Sequence, residues 1–326
     1  MASGAIWVHG ELAGDGTLAK ISTEVATLAR ALGAAGQRDV VGVVIGADPT
    51  AAATELAAFV PRVLAVTEPA TADHAAGTIA GQRLAALIAS EQPAYLLTGA
   101  GPEGRDLAGV VSALTGRGVL VNAVGVAWDD GPVVTMSVFG GKLTTTSRFT
   151  TDQGIVTVRP NAVAAEPAAA VGTVQATKVD GELKLPMVNV VDRVEAAGAA
   201  APIEEARIIV AGGRGVGGPD GFKVVAELAD ALGGAVGATR AAVDSGWIPY
   251  AQQIGQTGKI VKPALYLALG ISGAIQHKVG MQTASTIVAV NRDADAPIAE
   301  FADVVVIGDL FEFGPALLAA LRARAG

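Results

Sequence analysis

The chain has 326 residues, of which 51% are hydrophobic and only 4% aromatic, with a formal net charge of -8 and no cysteine. This length fits about two domains of ordinary size, and an acidic chain without a dense Lys/Arg block argues against a nucleic-acid or anionic-membrane surface. The lack of cysteine excludes disulfides, thiolate metal sites and thiol nucleophiles, so any redox chemistry must come from a cofactor.

The chain begins MASGAIWVHGELAG, without the basic and long apolar regions of a signal peptide, and this predicts a mature cytoplasmic protein. The longest uncharged apolar candidate, residues 263–276, is shorter than the roughly 20 residues that span a bilayer and contains a Gly-Ile-Ser-Gly break. We therefore predict no transmembrane segment.

Short apolar runs alternate with helical patterns in the N-terminal half, from AIWVH and LAKISTEVATLARAL to AYLLTG and GRDLAGVVSALTG. Such alternation predicts a parallel sheet with crossover helices. From Gly118 to about Val158 the apolar residues recur at every second position between Gly and Asp-Gly pairs. This second pattern favours antiparallel strands.

An Ala-rich segment with proline, NAVAAEPAAAVGTVQ, leads to a strand-like piece, LPMVNVVDRV, and then to AAGAAAPIEEA. The last stretch predicts a boundary between an N-terminal domain, residues 1–200, and a C-terminal domain, residues 205–326. The alternation then restarts at RIIVAG and continues to DVVVIG. We predict an α/β fold with two doubly wound parallel-sheet domains, the first with added antiparallel strands and the second smaller.

Two glycine-rich stretches, TGAGPEGR and GGRGVGG, have the G-x-G-x-x-G spacing between a strand and a helix. A chain with 42 glycines produces such matches by chance, and no acidic residue follows the next strand after GGRGVGG, so a conventional NAD fold is disfavoured. Arg214 is a cation beside exposed amides and suits a diphosphate, although a solvated loop arginine explains it equally well.

A long aperiodic segment, TRAAVDSGWIPYAQQIGQTGKIVKPALY, is rich in polar residues and glycine. Irregular segments of this length inside compact domains are more often functional than idle. Gln256 and Thr257 stand between two glycines that let the backbone approach a planar ligand. The segment predicts a binding loop, with a simple turn as the alternative.

His277 follows the predicted strand LYLALG, where Ser272 and Gly273 are predicted to begin a helix. Open α/β sheets bind ligands beyond the carboxyl ends of their strands, so His277 is predicted to help stabilise an anion there. Asn291 and Asp309 also stand at strand ends and suit ribose or phosphate contacts, although strand-end caps use the same residues. With three scattered histidines and no cysteine, no metal site is predicted.

Six motifs occur together in residues 205–326: GGRGVGG, TRAAVDSGW, IGQTGKIV, LYLALGISGAIQHKVGM, TIVAVNRDADAPI and ADVVVIGDLFE. In this order they resemble the electron transfer flavoprotein alpha subunit (FixB) family. Residues 1–200 resemble the family's N-terminal domain more loosely, through the fold pattern and TTTSRFTTDQGIVTVRPNA.

This resemblance implies an electron carrier rather than an enzyme with a substrate of its own. In such proteins the alpha subunit carries FAD and pairs with an electron transfer flavoprotein beta subunit that holds a structural AMP, and the N-terminal domain contributes to the partner interface. The pair takes electrons from flavin dehydrogenases, such as the acyl-CoA dehydrogenases of fatty acid beta-oxidation, to a membrane electron transfer flavoprotein-quinone oxidoreductase.

The resemblance also implies roles for single residues. Arg240 would lie against the isoalloxazine face, the Thr257 hydroxyl near flavin N5, and His277 near O2. Reduction puts negative charge on the N1/O2 region, so cations and donors aimed there raise the potential. The implied FAD-binding residues are Arg214, Thr239, Arg240, Ile254, Gly255, Gln256, Thr257, Ser272, Gly273, Ala274, Ile275, Gln276, His277, Asn291, Asp309 and Leu310. No catalytic residue is expected.

Two alternatives share these features. The first is a flavin subunit for electron bifurcation or nitrogen-fixation-linked transfer, which would pair with a beta subunit holding a second FAD. The second is a nucleotide-binding regulatory or NAD-binding module on the same sheet, which would be colourless when purified.

Overall fold

The computed structural model describes residues 4–138, 143–192 and 203–325. These residues form two compact units, one comprising the described residues up to 192 and the other those from 203 onward. The predicted domain boundary, between residues 200 and 205, lies largely outside the described residues. Among the described helices, none is long and apolar enough to cross a membrane.

The first unit contains a sheet in which nine strands are described, in the order β7-β6-β5-β8-β4-β1-β2-β3-β9. Most neighbouring pairs are parallel, while β5–β6 and β6–β7 are antiparallel. The strands are β1 (Ile6–Gly10), β2 (Val40–Gly46), β3 (Arg62–Thr67), β4 (Tyr95–Gly99), β5 (Val119–Trp128), β6 (Pro132–Val138), β7 (Leu143–Arg148), β8 (Gly154–Val158) and β9 (Thr173–Thr177).

Helices cover both faces of this sheet. α1 (Lys20–Gly36) and α2 (Thr50–Leu56) pack on one face, and α3 (Ala76–Glu91) and α4 (Pro102–Thr115) pack on the other. In α1 the buried side chains recur at helical spacing, which places them on one face of the helix: Ile21, Val25, Leu28 and Leu32. Because both faces are covered, β1, β2, β4 and β8 are buried along their whole length.

The direction of β8 differs from the antiparallel arrangement predicted for residues 118–158. β8 lies between β4 and β5 and is parallel to both. Its alternating sequence, GIVTV, resembles a strand with one solvated face, but Thr157 is 1% exposed and its hydroxyl accepts a hydrogen bond from the Asn122 amide at 2.9 Å. The alternation that wrongly predicted an antiparallel strand therefore comes from Thr157, which is buried with its hydroxyl hydrogen-bonded.

The predicted strand LPMVNVVDRV, residues 185–194, is also not formed over its described residues. Asn189 makes an isolated bridge with His74, and the segment is otherwise attached through single hydrogen bonds. Gln82 Oε1, for example, accepts from the amides of Lys184 and Leu185, both at 2.8 Å. The strand forms earlier instead, as β9, and residues 193–194 lie outside the described residues.

The second unit has a parallel sheet with five described strands in the order β11-β10-β12-β13-β14. The strands are β10 (Ile208–Gly212), β11 (Ala235–Ala238), β12 (Leu265–Leu269), β13 (Thr286–Asn291) and β14 (Val304–Ile307), and the helices are α5 (Phe222–Leu232), α6 (Arg240–Asp244), α7 (Ile275–Met281) and α8 (Leu310–Ala325). Residues of α5, α6 and α8 pack on one face, and α7 contributes Met281 to the other. The predicted α/β class, with two parallel-dominated sheets, is confirmed.

The strand order of the second unit reverses between β10 and β12. From β10 the chain passes outward to β11 and then returns to β12 on the opposite side. The carboxyl ends of two strands at such a reversal diverge and leave a crevice, which is where open α/β sheets bind ligands.

Candidate functional site

A cavity of about 630 Å³ opens at this reversal point, beyond the carboxyl ends of β10, β11, β12 and β13. Five segments of the chain form its walls, including parts of α6 and α7, so residues far apart in sequence meet there. Thirteen of the sixteen predicted ligand-binding residues line it: Arg214, Thr239, Arg240, Ile254, Gly255, Gln256, Thr257, Ser272, Gly273, Ala274, Gln276, His277 and Asn291.

Nine further lining residues were not predicted from the sequence. They are Gly213, Gly215, Ala241, Asp244, Gly270, Ile271, Asp293, Ala296 and Pro297. Most stand within a few positions of a predicted strand end, and that proximity was the signal that could have identified them. Ala296 and Pro297 stand farther from a strand end, where the 3-10 turn Pro297–Glu300 begins, and their signal was the motif TIVAVNRDADAPI that contains them.

The loops after β10 and β12 cross closely at one side of the cavity. The Gly213 amide donates to the Leu269 carbonyl at 2.9 Å, and the Gly215 amide donates to the Gly270 carbonyl at 3.0 Å. A Cβ atom on Gly215 would lie 2.7 Å from the Gly270 Cα, which is closer than real Cβ contacts come. The glycines of the GGRGVGG motif therefore allow the two loops to pack closely, in addition to any role in binding a ligand.

The predicted binding loop is held against α7. The Gln256 amide donates to the Gln276 carbonyl at 2.7 Å, and the Val261 amide donates to the Gly280 carbonyl at 2.8 Å. Gly255 adopts a φ of +143°, and a Cβ there would lie 2.8 Å from the Gln276 carbonyl oxygen. Glycine is therefore needed at position 255 for the loop to reach the helix.

His277 is a buried residue of this interface, with 6% of its surface exposed. Its Nδ1 lies 3.0 Å from the Ile254 carbonyl and its Nε2 lies 2.9 Å from the Tyr266 hydroxyl. A carbonyl only accepts, so Nδ1 carries the proton and Nε2 accepts from Tyr266. Burial lowers the pKa of His277 to about 4, although the Ile254 carbonyl acts in the opposite direction.

In this geometry both nitrogens of the His277 ring already bond to protein groups, and its contact with flavin O2 stays a prediction. The ring is neutral at pH 7. The predicted helix start is corrected: α7 begins at Ile275, after Ala274, with no side-chain cap. Ser272 precedes Gly273, whose φ of +84° interrupts helical geometry.

Two arginines supply positive charge at the cavity. The Arg240 Nε lies 3.1 Å from Asp244 Oδ2 in an exposed pair, which solvent and salt weaken. Arg214 is exposed and has no ion pair with any residue that the structure describes. Both guanidinium groups can therefore turn toward an anionic ligand.

Asn291 bonds to two protein groups at the cavity, and the other three predicted residues lie outside the lining. Asn291 Nδ2 donates to the Ile271 carbonyl at 2.9 Å, and its Oδ1 accepts from the Asp293 amide at 3.0 Å. Asp309 lies outside the cavity lining, where the Phe311 amide and the Arg292 guanidinium lower the pKa of its carboxyl group. Leu310 is 5% exposed in the core, and Ile275 also lies outside the lining. Their contacts with a bound FAD stay predictions.

Comparison with known proteins connects this geometry to a family. A model of the electron transfer flavoprotein domain matches residues 6–183, and a model of the electron transfer flavoprotein FAD-binding domain matches residues 202–282. The chain is 46% identical over 314 residues to the electron transfer flavoprotein subunit alpha of Mycobacterium tuberculosis strain H37Rv, covering 96% of each chain. The chain belongs to the electron transfer flavoprotein alpha subunit family.

Matches of lower sequence identity indicate the same family. The electron transfer flavoprotein subunit alpha of Thermoanaerobacterium thermosaccharolyticum is 35% identical over 97% of each chain. Protein FixB of Clostridium saccharobutylicum is 39% identical over 72% of this chain and 71% of its own. For an electron transfer flavoprotein alpha subunit, these matches support a flavin cofactor and a role in electron transfer, as the six motifs predicted.

The cavity of this family member contains a polar group that fits a bound flavin nucleotide. Thr239 Oγ1 is buried and has no hydrogen-bond partner among the described residues. An unsatisfied buried hydroxyl costs about 1 to 3 kcal/mol, so a ligand that bonds to it recovers this free energy. Together with the two arginines, this hydroxyl suits a polar, anionic ligand such as a dinucleotide.

The other glycine motif, TGAGPEGR, lies in the first unit of the alpha subunit between β4 and α4. A Cβ on Gly101 would lie 3.4 Å from Glu11 Oε1, and one on Gly99 would lie 3.2 Å from Glu11 Oε2. A carboxylate therefore stands beside the start of α4, where a phosphate group would bind. Its negative charge disfavours a phosphate group at this loop.

Proposed function

We propose that this chain binds FAD in the cavity of its second unit as the alpha subunit of a heterodimeric electron transfer flavoprotein. The observation that carries the proposal is the convergence of thirteen motif residues on one cavity in a chain of this family. The pair would take electrons from flavin dehydrogenases, such as acyl-CoA dehydrogenases, to a membrane quinone oxidoreductase. A cytoplasmic location and a part in fatty acid beta-oxidation belong to the same proposal.

Different residues of the cavity would contact different parts of FAD. Arg214 and Thr239 would hold the diphosphate and ribityl groups, while Gln256 and Thr257 would bond to the edge of the ring. Arg240 would place positive charge beside the ring and favour its reduction. Bound FAD supplies the electron-accepting chemistry, and the chain holds it in place and sets its electrostatic surroundings.

Several residues that line the cavity are themselves exposed, including Arg240, Gln256, Thr257 and Ser272. A flavin bound there would keep part of its surface open to water. We propose that an electron transfer flavoprotein beta subunit, with AMP bound to it, covers this side. The chain alone should then hold FAD less tightly than the heterodimer.

Co-expression with a beta subunit tests the proposal. The purified heterodimer should be yellow and contain one FAD and one AMP, measured by absorption and by chromatography of the released nucleotides. The chain expressed alone is the control and should lose FAD on dialysis. A colourless heterodimer would overturn the proposal in favour of a nucleotide-binding module.

The similarity to Protein FixB keeps a second function in view, a flavin subunit for bifurcating or nitrogen-fixation-linked transfer. The same nucleotide measurement separates the two. A second FAD in place of AMP in the beta subunit would favour this alternative.

A further inference from the structure

Thr257, at the edge of the cavity, is anchored by two residues outside its lining. Gln253 Nε2 donates to Thr257 Oγ1 at 3.1 Å, and the Tyr250 hydroxyl donates to the Thr257 carbonyl at 2.7 Å. Gln253 is 2% exposed, whereas Tyr250 is 62% exposed. The buried glutamine therefore reaches Thr257 from the protein side, while Thr257 faces the cavity.

The hydrogen bond from Gln253 determines what the Thr257 hydroxyl can do. A hydroxyl has one proton to donate and two lone pairs to accept with, and an amide NH₂ group only donates. Because Gln253 occupies a lone pair of Oγ1, the hydroxyl proton must point elsewhere. Thr257 lines the cavity, so a ligand bound there can accept this proton.

Gln253 is itself fixed by its backbone. Its amide donates to the Tyr250 carbonyl at 2.9 Å, and its carbonyl accepts from the Lys259 amide at 2.7 Å. Gln253 also forms a parallel bridge with Ala238, the last residue of β11. A Cβ on Gly258 would lie 2.9 Å from the Gln253 Cγ, so the neighbouring glycine leaves room for this side chain.

We propose that Gln253 is a positioning residue that holds the Thr257 hydroxyl as a hydrogen-bond donor toward the ring of the bound flavin. The proposal rests on the proposed function, because it needs a flavin in the cavity. Ring nitrogens and carbonyl oxygens of an oxidised flavin accept hydrogen bonds, and they accept more strongly when the ring gains electrons. A fixed donor therefore raises both the affinity for FAD and the potential of the bound ring.

A double-mutant cycle in the co-purified heterodimer tests this. Gln253→Met, Thr257→Val and the double variant are compared with wild type for the FAD dissociation constant, the midpoint potential and the visible spectrum. Each single variant should weaken FAD binding by about 3- to 10-fold, as expected for one hydrogen bond. Each should also lower the potential, and Gln253→Met should add nothing in the Thr257→Val background.

Two further variants complete the test. Gln252→Met is the matched control, because Gln252 is adjacent and its buried Oε1 has no partner in the described structure; it should leave the potential unchanged. Gln253→Asn keeps a neutral amide but shortens the side chain by one methylene, so the amide no longer reaches the Thr257 hydroxyl and the potential should fall as in Thr257→Val. This variant tests the positioning role of Gln253 if Gln253→Met does not fold.

The outcomes separate the two proposals. If wild type holds FAD but the effects of Gln253→Met and Thr257→Val add, or if Gln253→Asn leaves the potential unchanged, the positioning role is wrong and the FAD site stands. If the wild-type heterodimer holds no FAD, both proposals are wrong.

Discussion

The His277 imidazole joins three parts of the second unit that are distant in sequence. It lies on α7, bonds to the Ile254 carbonyl in the binding loop and accepts from Tyr266 in β12. Tyr266 is fully buried, and burial raises the pKa of its hydroxyl well above the usual value. Both groups therefore remain uncharged, and the chain of hydrogen bonds fixes the loop against the sheet.

His277→Ala should consequently lower the free energy of unfolding of the second unit by about 2 to 4 kcal/mol, because it leaves the Tyr266 hydroxyl and the Ile254 carbonyl buried without partners. Tyr266→Phe removes one bond and should cost about 1 to 2 kcal/mol. Urea unfolding of both variants measures these values. Unchanged stability with a lower flavin potential would instead restore a direct electrostatic role for the imidazole.

At the scale of elements, the crossing of the two loops after β10 and β12 sets the shape of the cavity. Gly213, Gly215 and Gly270 allow the backbones to touch, with hydrogen bonds of 2.9 and 3.0 Å across the contact. Neither loop could keep this position if a side chain separated them. The glycine spacing is thus explained by packing between loops, a requirement that the pattern shares with nucleotide-binding turns.

Gly215→Ala should therefore destabilise the second unit by about 1 to 3 kcal/mol and weaken FAD binding, because the added Cβ must push the two backbones apart. Gly218→Ala is the matched control in the same loop, since a Cβ there would meet nothing within 4 Å. Thermal unfolding and FAD titration of both variants measure the difference. Equal behaviour of the two variants would show that the crossing is not under steric constraint.

At the scale of the whole molecule, each unit contains one buried neutral histidine. Burial lowers the pKa of His9 in the first unit and of His277 in the second to about 4, from 6.5 in an unfolded chain. Between these pH values the unfolded chain binds protons that the folded chain does not. The contribution of each histidine to the free energy of unfolding is therefore fully present above about pH 6.5. Roughly 3 kcal/mol per histidine is lost as the pH drops toward 4.

Hydrogen exchange measured in each unit from pH 7.5 to pH 4.5, after correction for the intrinsic exchange rate, tests this expectation. Protection should fall in both units of the wild-type protein. In His277→Gln the pH dependence should weaken in the second unit and persist in the first, which serves as the internal control. A wild-type protein whose protection is constant over this range would contradict the buried neutral state of both histidines.

Much of this architecture was predictable because strands and crossover helices have local signatures. The alternation of apolar runs predicted both parallel sheets, and the motifs at strand ends predicted thirteen of the residues around the cavity. The errors arose where burial was not local. Thr157 is polar yet buried, and its alternation with apolar residues led to the wrong prediction that β8 is antiparallel. The positive φ of Gly273 delays the start of α7 to Ile275, whereas Ser272 and Gly273 were predicted to begin the helix.

The sequence alone determined the family, the fold class and the group of loops that form the site, because these depend on patterns within short segments. Only the tertiary structure decided what each polar group bonds to. The ring of His277 meets partners 11 and 23 residues away, and Thr257 is oriented by a glutamine that belongs to no motif. A hydrogen bond depends on distances of a few tenths of an ångström between atoms that the fold brings together, and no spacing along the chain encodes those distances.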